Sequence, residues 1–240
     1  MFVKEHYDNH LGNFYSWMMG DFETKRNEFQ SFLEANNIHP NSTKVAIDLG
    51  CGNGIQSVAL ANLGFDVTAV DFNKQLLSEL ATNRKQSSIK IIEDDMTNVK
   101  KYQEQNPELI ICWGDTITHL HDLDAIKKFI SDCASILNEH GKLLMSFRDY
   151  SNPLIGDNRF IPVKSDDSKI LICCLDYEET KVRVTDILHQ KNENGWQQKV
   201  SSYYKVRISL QQIVSMIEQC GLKIQLNEVI SRMATIIATK

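Results

Sequence analysis

Residues 45–54 read VAIDLGCGNG. A β-branched apolar run leads to Asp48, and glycines follow at positions 50, 52 and 54. The run has the length and composition of a buried strand. Alternate glycines let the chain turn sharply after it and press the backbone against a ligand without Cβ interference. Outward from this point the pattern repeats. TKVAIDL precedes a helix through SVALANL that stops at Gly64, and DVTAVDF precedes NKQLLSELATNRK. IKIIEDD is followed by a loop and then ELIICWG. Asp122 to Leu137 is helical, with Ile126, Phe129, Ile130, Cys133 and Leu137 on one stripe, and KLLMSF follows Gly141. Strands alternating with helices predict parallel pairing with right-handed crossovers, and such doubly wound sheets bind ligands beyond the carboxyl ends of their strands.

The pattern then changes. KILICCLDYE, KVRVTDILHQ and WQQKVSSYYKVRI alternate as antiparallel strands do, and NENG between the last two carries the Asn-Gly signature of a tight hairpin turn. On the third of these, Trp196, Val200, Tyr204 and Val206 share a face expected in the core, and Lys199, Tyr203, Lys205 and Arg207 share a face expected in solvent. A helix, SLQQIVSMIEQCG, closes at Gly221, and LKIQLNEVI and MATIIATK complete the main sheet. At the other end, residues 5–37 are helical in pattern and carry Tyr7, Phe14, Tyr15 and Trp17. No repeat or low-complexity linker divides the chain. The expectation is one domain over 1–240: a helical cover at 1–42, a ligand-binding core at 43–150, an antiparallel substrate cover at 157–207, and completion of the sheet at 208–240.

Composition narrows the ligand. The 240 residues are 42% hydrophobic and 24% charged, an ordinary globular balance. A net charge of −5 without a Lys/Arg cluster leaves no footprint for nucleic acid or an anionic membrane, which favours a small-molecule partner. No basic, then apolar, leader opens the chain and no window approaches bilayer-spanning length, so a soluble cytoplasmic protein is expected. The six cysteines lie in apolar runs without CxxC spacing, as buried thiols do. His119 and His121 alternate in THLHD but lack the third ligand that a metal requires, so no metal is expected. Oligomeric state is not legible in the sequence.

Asp48 and Ile55 argue against bound pyrophosphate, because the dinucleotide fingerprint wants a small residue at 55 and no acid so close before the first glycine. A carboxylate there suits a cationic end such as the α-amino group of S-adenosylmethionine. Asp71 ends the second strand, where it can accept both hydroxyl hydrogens of a ribose. Asp94, Asp95 and Met96 end the third, an acid for an adenine amino group beside an apolar cover for its ring.

VAIDLGCGNG, VTAVDFN, EDDM and ELIICWGDTITHL together resemble motifs I, post-I, II and IV of the class I S-adenosylmethionine-dependent methyltransferases. The element order extends the likeness over almost the whole chain. IICWGDTITHL followed by a helix and LLMSFRDYSNP is similar to the glycine N-methyltransferase-like branch. The resemblance implies an α/β, doubly wound, Rossmann-like seven-stranded sheet with its last strand antiparallel, N-terminal helices, and an antiparallel β insertion over the cleft. It also implies S-adenosylmethionine as cofactor. Asp48, Gly50, Gly52 and Gly54 would hold its methionine part, Asp71 the ribose, and Asp95 and Met96 the adenine. Trp113 and His119 would line the cleft, with Tyr15 and Trp17 of the N-terminal segment on the cofactor side. Arg148, at the end of the fifth strand, has the planar fork suited to a substrate carboxylate, and Tyr150, Arg159, Tyr203 and Tyr204 are further substrate candidates. Methyl transfer from a sulfonium needs alignment and exclusion of water and demands no fixed acid–base pair, so no catalytic residue is assigned. The expected activity is methylation of a small amine or amino-acid-like acceptor. The competing readings are a non-catalytic S-adenosylmethionine-binding module and a nicotinamide-dependent oxidoreductase.

Overall fold

The computed structural model describes residues 3–85 and 87–240. Five parallel strands form the heart of the molecule: β1 (Val45–Leu49), β2 (Asp66–Asp71), β3 (Ile89–Glu93), β4 (Leu109–Cys112) and β5 (Lys142–Phe147). After them come β6 (Phe160–Ser165), β7 (Lys169–Tyr177), β8 (Lys181–Asn192) and β9 (Gly195–Val206), which pair antiparallel in a sheet of their own. Two last strands, β10 (Lys223–Ile230) and β11 (Met233–Thr239), return to the first sheet. Its order is β10-β11-β5-β4-β1-β2-β3, with β11 antiparallel to both neighbours. This is the seven-stranded, doubly wound sheet that the sequence predicts.

Both faces of that sheet are covered, which is why its central strands are apolar along their whole length. On one face Ile47, Leu49, Ile110, Met145 and Phe147 pack against α6 (Leu123–Ile136) and α7 (Leu210–Gln219). The other face carries Ala46, Ala69, Leu109, Ile111 and Leu144. These meet α3 (Phe22–Ala35), α4 (Ile55–Asn62) and α5 (Lys74–Asn83) through Phe29, Leu33, Leu60 and Leu80. The helices start where side chains satisfy otherwise orphaned N–H groups. Asn73 accepts from Leu76 N, Asp122 accepts from Ala125 N, and Ser209 and Gln212 form a reciprocal capping box. Glu108 ties the approach to β1 down, its carboxylate accepting from the N–H groups of Asn41, Ser42 and Thr43.

The predicted N-terminal helical stretch is broken into α1 (Val3–Asn9), a 3-10 turn at Leu11–Asn13, α2 (Tyr15–Met19) and α3. Gly20, at φ 95°, makes the bend before Asp21 caps α3. The insertion has one strand more than predicted. β6 carries Pro162 and lysine and shifts register between Pro162 and Lys164, which hides the period of two. The β8–β9 hairpin turns at Glu193–Asn194, with Asn192 opposite Gly195, so the left-handed residue is the glycine that follows the turn (φ 102°).

The expected faces of β9 hold at two positions and fail at others: Val206 is buried and Lys199 exposed as expected, but Trp196, Val200 and Tyr204 are exposed and Tyr203 and Lys205 are buried. Ser201, Tyr203 and Lys205 are turned inward because α1 and the segment after β4 lie on that side: His6 stacks on Tyr203 at 4.2 Å, and Lys205 pairs with Asp115. Four of the cysteines are buried and two are half-buried, all as free thiols. Among the described residues no helix is long and apolar enough to cross a membrane, and no group of three or more potential metal ligands assembles.

Candidate active site

A cavity of about 1390 Å³ opens beyond the carboxyl ends of β1, β2, β3, β4 and β5, between the main sheet, the N-terminal helices and the insertion. Its lining brings together Tyr15, Gly50, Gly52, Asp71, Asp95, Met96, Trp113, His119, Arg148, Tyr150, Tyr203 and Tyr204, from elements far apart in the chain.

The turn after β1 is shaped from below. Gly50 and Cys51 donate to Val70 O, and Gly50, Gly52 and Gly54 all take positive φ. A Cβ on Gly52 would point at the Tyr15 ring, 3.4 Å away, within the cavity. Gly54 serves packing: a Cβ there would sit 2.1 Å from Leu80 Cδ1, and Gly54 does not line the cavity. Asp71 Oδ2 accepts from Gly52 N (2.9 Å) and Oδ1 from Asn73 N (2.8 Å). Each oxygen keeps a lone pair for a ligand. Burial pushes the Asp71 carboxyl above its usual range against the pull of those N–H groups.

Asp48 is placed differently from the expectation. It is buried beneath the turn, outside the cavity lining, and accepts from Ser57 Oγ at 2.6 Å. Burial pushes its carboxyl up to about 7. Trp17 also lies outside the cavity. Its indole N–H donates to Asp166 at 2.5 Å, and Lys164 and Lys169 lie over its ring. Arg159 is spent on the insertion itself, where it pairs with Asp176. Asp95 accepts from Thr97 N–H and Oγ1–H, while Asp94 is tied to Asn98 and Lys101.

The residues that sequence reading missed cluster at the end of β4. Asp115 holds φ 75°, a conformation costly for a residue with a side chain and kept only where the surroundings over-determine it. Its Oδ1 accepts from Arg148 N (2.9 Å) and Thr118 Oγ1 (3.0 Å). Oδ2 accepts from Tyr150 OH (2.9 Å) and from the Lys205 ammonium. Burial would raise this carboxyl, but Lys205 holds it below the usual range. His119 stacks on Tyr203 and meets the edge of Tyr7, and its buried Nδ1 has no hydrogen-bond partner among the described residues. Burial, then Lys205, push the imidazole down to about 3, so it is neutral. Tyr7 also packs edge-on against Phe72, next to Asp71, and both line the cavity. Asp115 stands inside the WGDTITHL stretch, but the expected exposure of its strand face conceals Lys205. Arg148 lines the cavity, is exposed to solvent, and forms no ion pair among the described residues.

Comparison with known proteins agrees with this geometry. Residues 46–141 match the family described as Methyltransferase domain. A glycine/sarcosine N-methyltransferase of Aphanothece halophytica is 29% identical over 119 residues, 49% of this chain and 44% of that protein. The chain thus spans less than half the length of the curated relatives it first matches. Among solved structures, an S-adenosylmethionine-dependent methyltransferase from Clostridium acetobutylicum superposes with a TM-score of 0.71 at 16% identity, covering 98% of this chain and 95% of the other. An amino pentose methyltransferase from Micromonospora echinaspora, bound to S-adenosylmethionine, gives 0.73 at 12% identity, covering 92% and 93%.

Proposed function

This chain carries a class I S-adenosylmethionine-dependent methyltransferase domain, and from that premise we propose that it methylates a small amine or amino-acid-like acceptor. The observation that carries the reading is one cavity lined both by the glycine turn, Asp71 and Met96 and by Arg148, which forms no ion pair among the described residues. The residues present fit the cofactor. Gly52 offers backbone whose Cβ position is free of clashes, Asp71 offers lone pairs to a ribose, and Asp95 and Met96 offer an acceptor and an apolar wall to an adenine, with Gly50, Tyr15 and Trp113 in the same lining. Bound there, the cofactor supplies an electrophilic methyl group on sulfur.

The chain's own residues then align and dry the site. Arg148 is suited to a carboxylate, its fork matching two oxygens. His119, neutral and unpartnered at Nδ1, can accept a hydrogen bond from the acceptor's N–H and orient its lone pair. With so low a pKa it does not store the proton, so the amine must arrive deprotonated. Asp115 and Lys205 cancel each other's charge.

The test has two readouts. S-adenosylhomocysteine should bind in calorimetry, and Asp71→Ala should weaken it roughly ten- to a hundredfold, equivalent to about 1.5–3 kcal/mol for a hydrogen bond to a charged group. Labelled S-adenosylmethionine with an amine-rich metabolite extract should yield S-adenosylhomocysteine and a methylated amine by mass spectrometry. Normal S-adenosylhomocysteine binding by a folded Asp71→Ala protein would remove Asp71 from the site.

A further inference from the structure

The cavity is larger and more apolar than a cofactor and a two-carbon amino acid need. Pockets of roughly 300–1,000 Å³ hold a drug-sized ligand. A cavity of about 1390 Å³ therefore keeps several hundred Å³ beside a bound cofactor. What lines the extra room is informative. The inward face of the insertion contributes Ile161, Leu175 and Val184 to the wall, residues packed in one apolar cluster. Arg148 lines the same cavity, two residues before Tyr150 of that cluster.

The apolar surface continues to the outer edge. Leu154 and Val163, and Val229 and Ile230 of the β10–β11 hairpin, line the cavity and are also exposed to solvent. Val229 is 68% exposed. Isolated apolar residues on a surface are ordinary, but several exposed apolar residues lining one cavity mark a binding rim.

We propose that the acceptor is an amino acid with an extended apolar side chain. Its carboxylate meets Arg148, its amine faces the methyl donor, and its hydrocarbon body lies along Ile161, Leu175 and Val184 toward the Leu154–Val229 rim. The inference rests on the methyltransferase reading and goes beyond it. Glycine would leave the apolar wall facing water, and each methylene laid on that wall removes hydrocarbon from solvent.

The experiment uses the whole chain with S-adenosylmethionine and a homologous series as acceptors: glycine, 2-aminobutanoate, norleucine, 2-aminooctanoate and 2-aminodecanoate. Formation of S-adenosylhomocysteine is followed by mass spectrometry. The expected result is kcat/KM rising with length, by up to about fourfold per added methylene, through KM more than kcat. In Leu154→Ser and Val163→Ser, exposed positions where folding is not at stake, the slope should flatten. A best activity with glycine, a slope of zero, or no methylation of any member by protein that binds S-adenosylhomocysteine would overturn the inference and leave the cofactor reading standing. Failure to bind S-adenosylhomocysteine would instead sink the methyltransferase reading. Light scattering is measured in parallel. A rim whose serine variants alter self-association and leave the length dependence untouched is a contact between copies, which also overturns the proposal.

Discussion

Asp48 and Asp71 are both strand-end carboxylates, and the fold uses them in opposite ways. Asp71 holds the glycine turn by its N–H groups and keeps oxygen lone pairs toward the cavity. Asp48 accepts from the Ser57 hydroxyl at depth, and burial raises its carboxyl to about 7. The native state therefore keeps a proton between roughly pH 4, where an unfolded aspartate ionises, and pH 7. The unfolded chain has already lost it, so the contribution of Asp48 to stability is full below pH 4 and fades as pH rises through 7. Replacing Asp48 with Asn should flatten that limb of the stability profile, measured by urea denaturation from pH 4 to 8; an unaltered slope would show that the proton resides elsewhere. At this scale the sequence reveals which residues end strands, because periodicity marks where each apolar run stops. It does not reveal whether a carboxylate one pleat earlier looks up or down. Asp48 was expected at the ligand and lies beneath it, since side chains along a strand alternate in direction.

The elements were more legible than their faces. The central strands of the main sheet are visible as apolar runs, because burial on both sides erases alternation and leaves a continuous signal, whereas the edge strand β10 alternates and is largely exposed. The insertion is amphipathic, and alternation shows that two faces differ without showing which is inside. Charge suggested one answer for β9, and the pairing of Lys205 with Asp115 imposed the other. Pro162 and a register shift hid β6 altogether. The α4 helix shows a further limit. Three glycines precede it and look alike in the sequence, yet a Cβ on Gly54 would meet Leu80 at 2.1 Å and one on Gly50 would meet Thr116 at 2.3 Å, while one on Gly52 would come no closer than 3.4 Å to Tyr15. Gly54→Ala should force Leu80 aside and hold alanine at φ 90°, costing about 2–4 kcal/mol of stability from overpacking plus a left-handed backbone. Gly114→Ala, with open space around its Cβ and φ 75°, should cost only the backbone part, about 1–2 kcal/mol. Chemical denaturation of the two variants compares them; equal losses would mean that Leu80 yields freely.

Across the whole molecule, two sheets are joined by few but buried contacts. His6 of α1 reaches Asp186 and Ser201 on the insertion, and Lys205 reaches Asp115 on the core. Lys205→Met should strand a buried carboxylate and cost about 3–5 kcal/mol, whereas Lys205→Met with Asp115→Asn should recover much of the loss. Denaturation of both variants decides it, and a double variant no better than the single would show that the lysine stem, not the charge, carries the contact. The insertion also leaves and rejoins the core at one crossing. Tyr150 N donates to Ile208 O at 3.3 Å, and the Arg207 guanidinium binds the carbonyls of Tyr150 and Ser151. An excursion whose two ends meet imposes no span on the framework it departs from. It can be lengthened, trimmed or exchanged while the framework stays in register. On the proposed reading, heredity can run at two tempos within this one chain, slow where the common reagent would be held and fast where its recipient would be chosen.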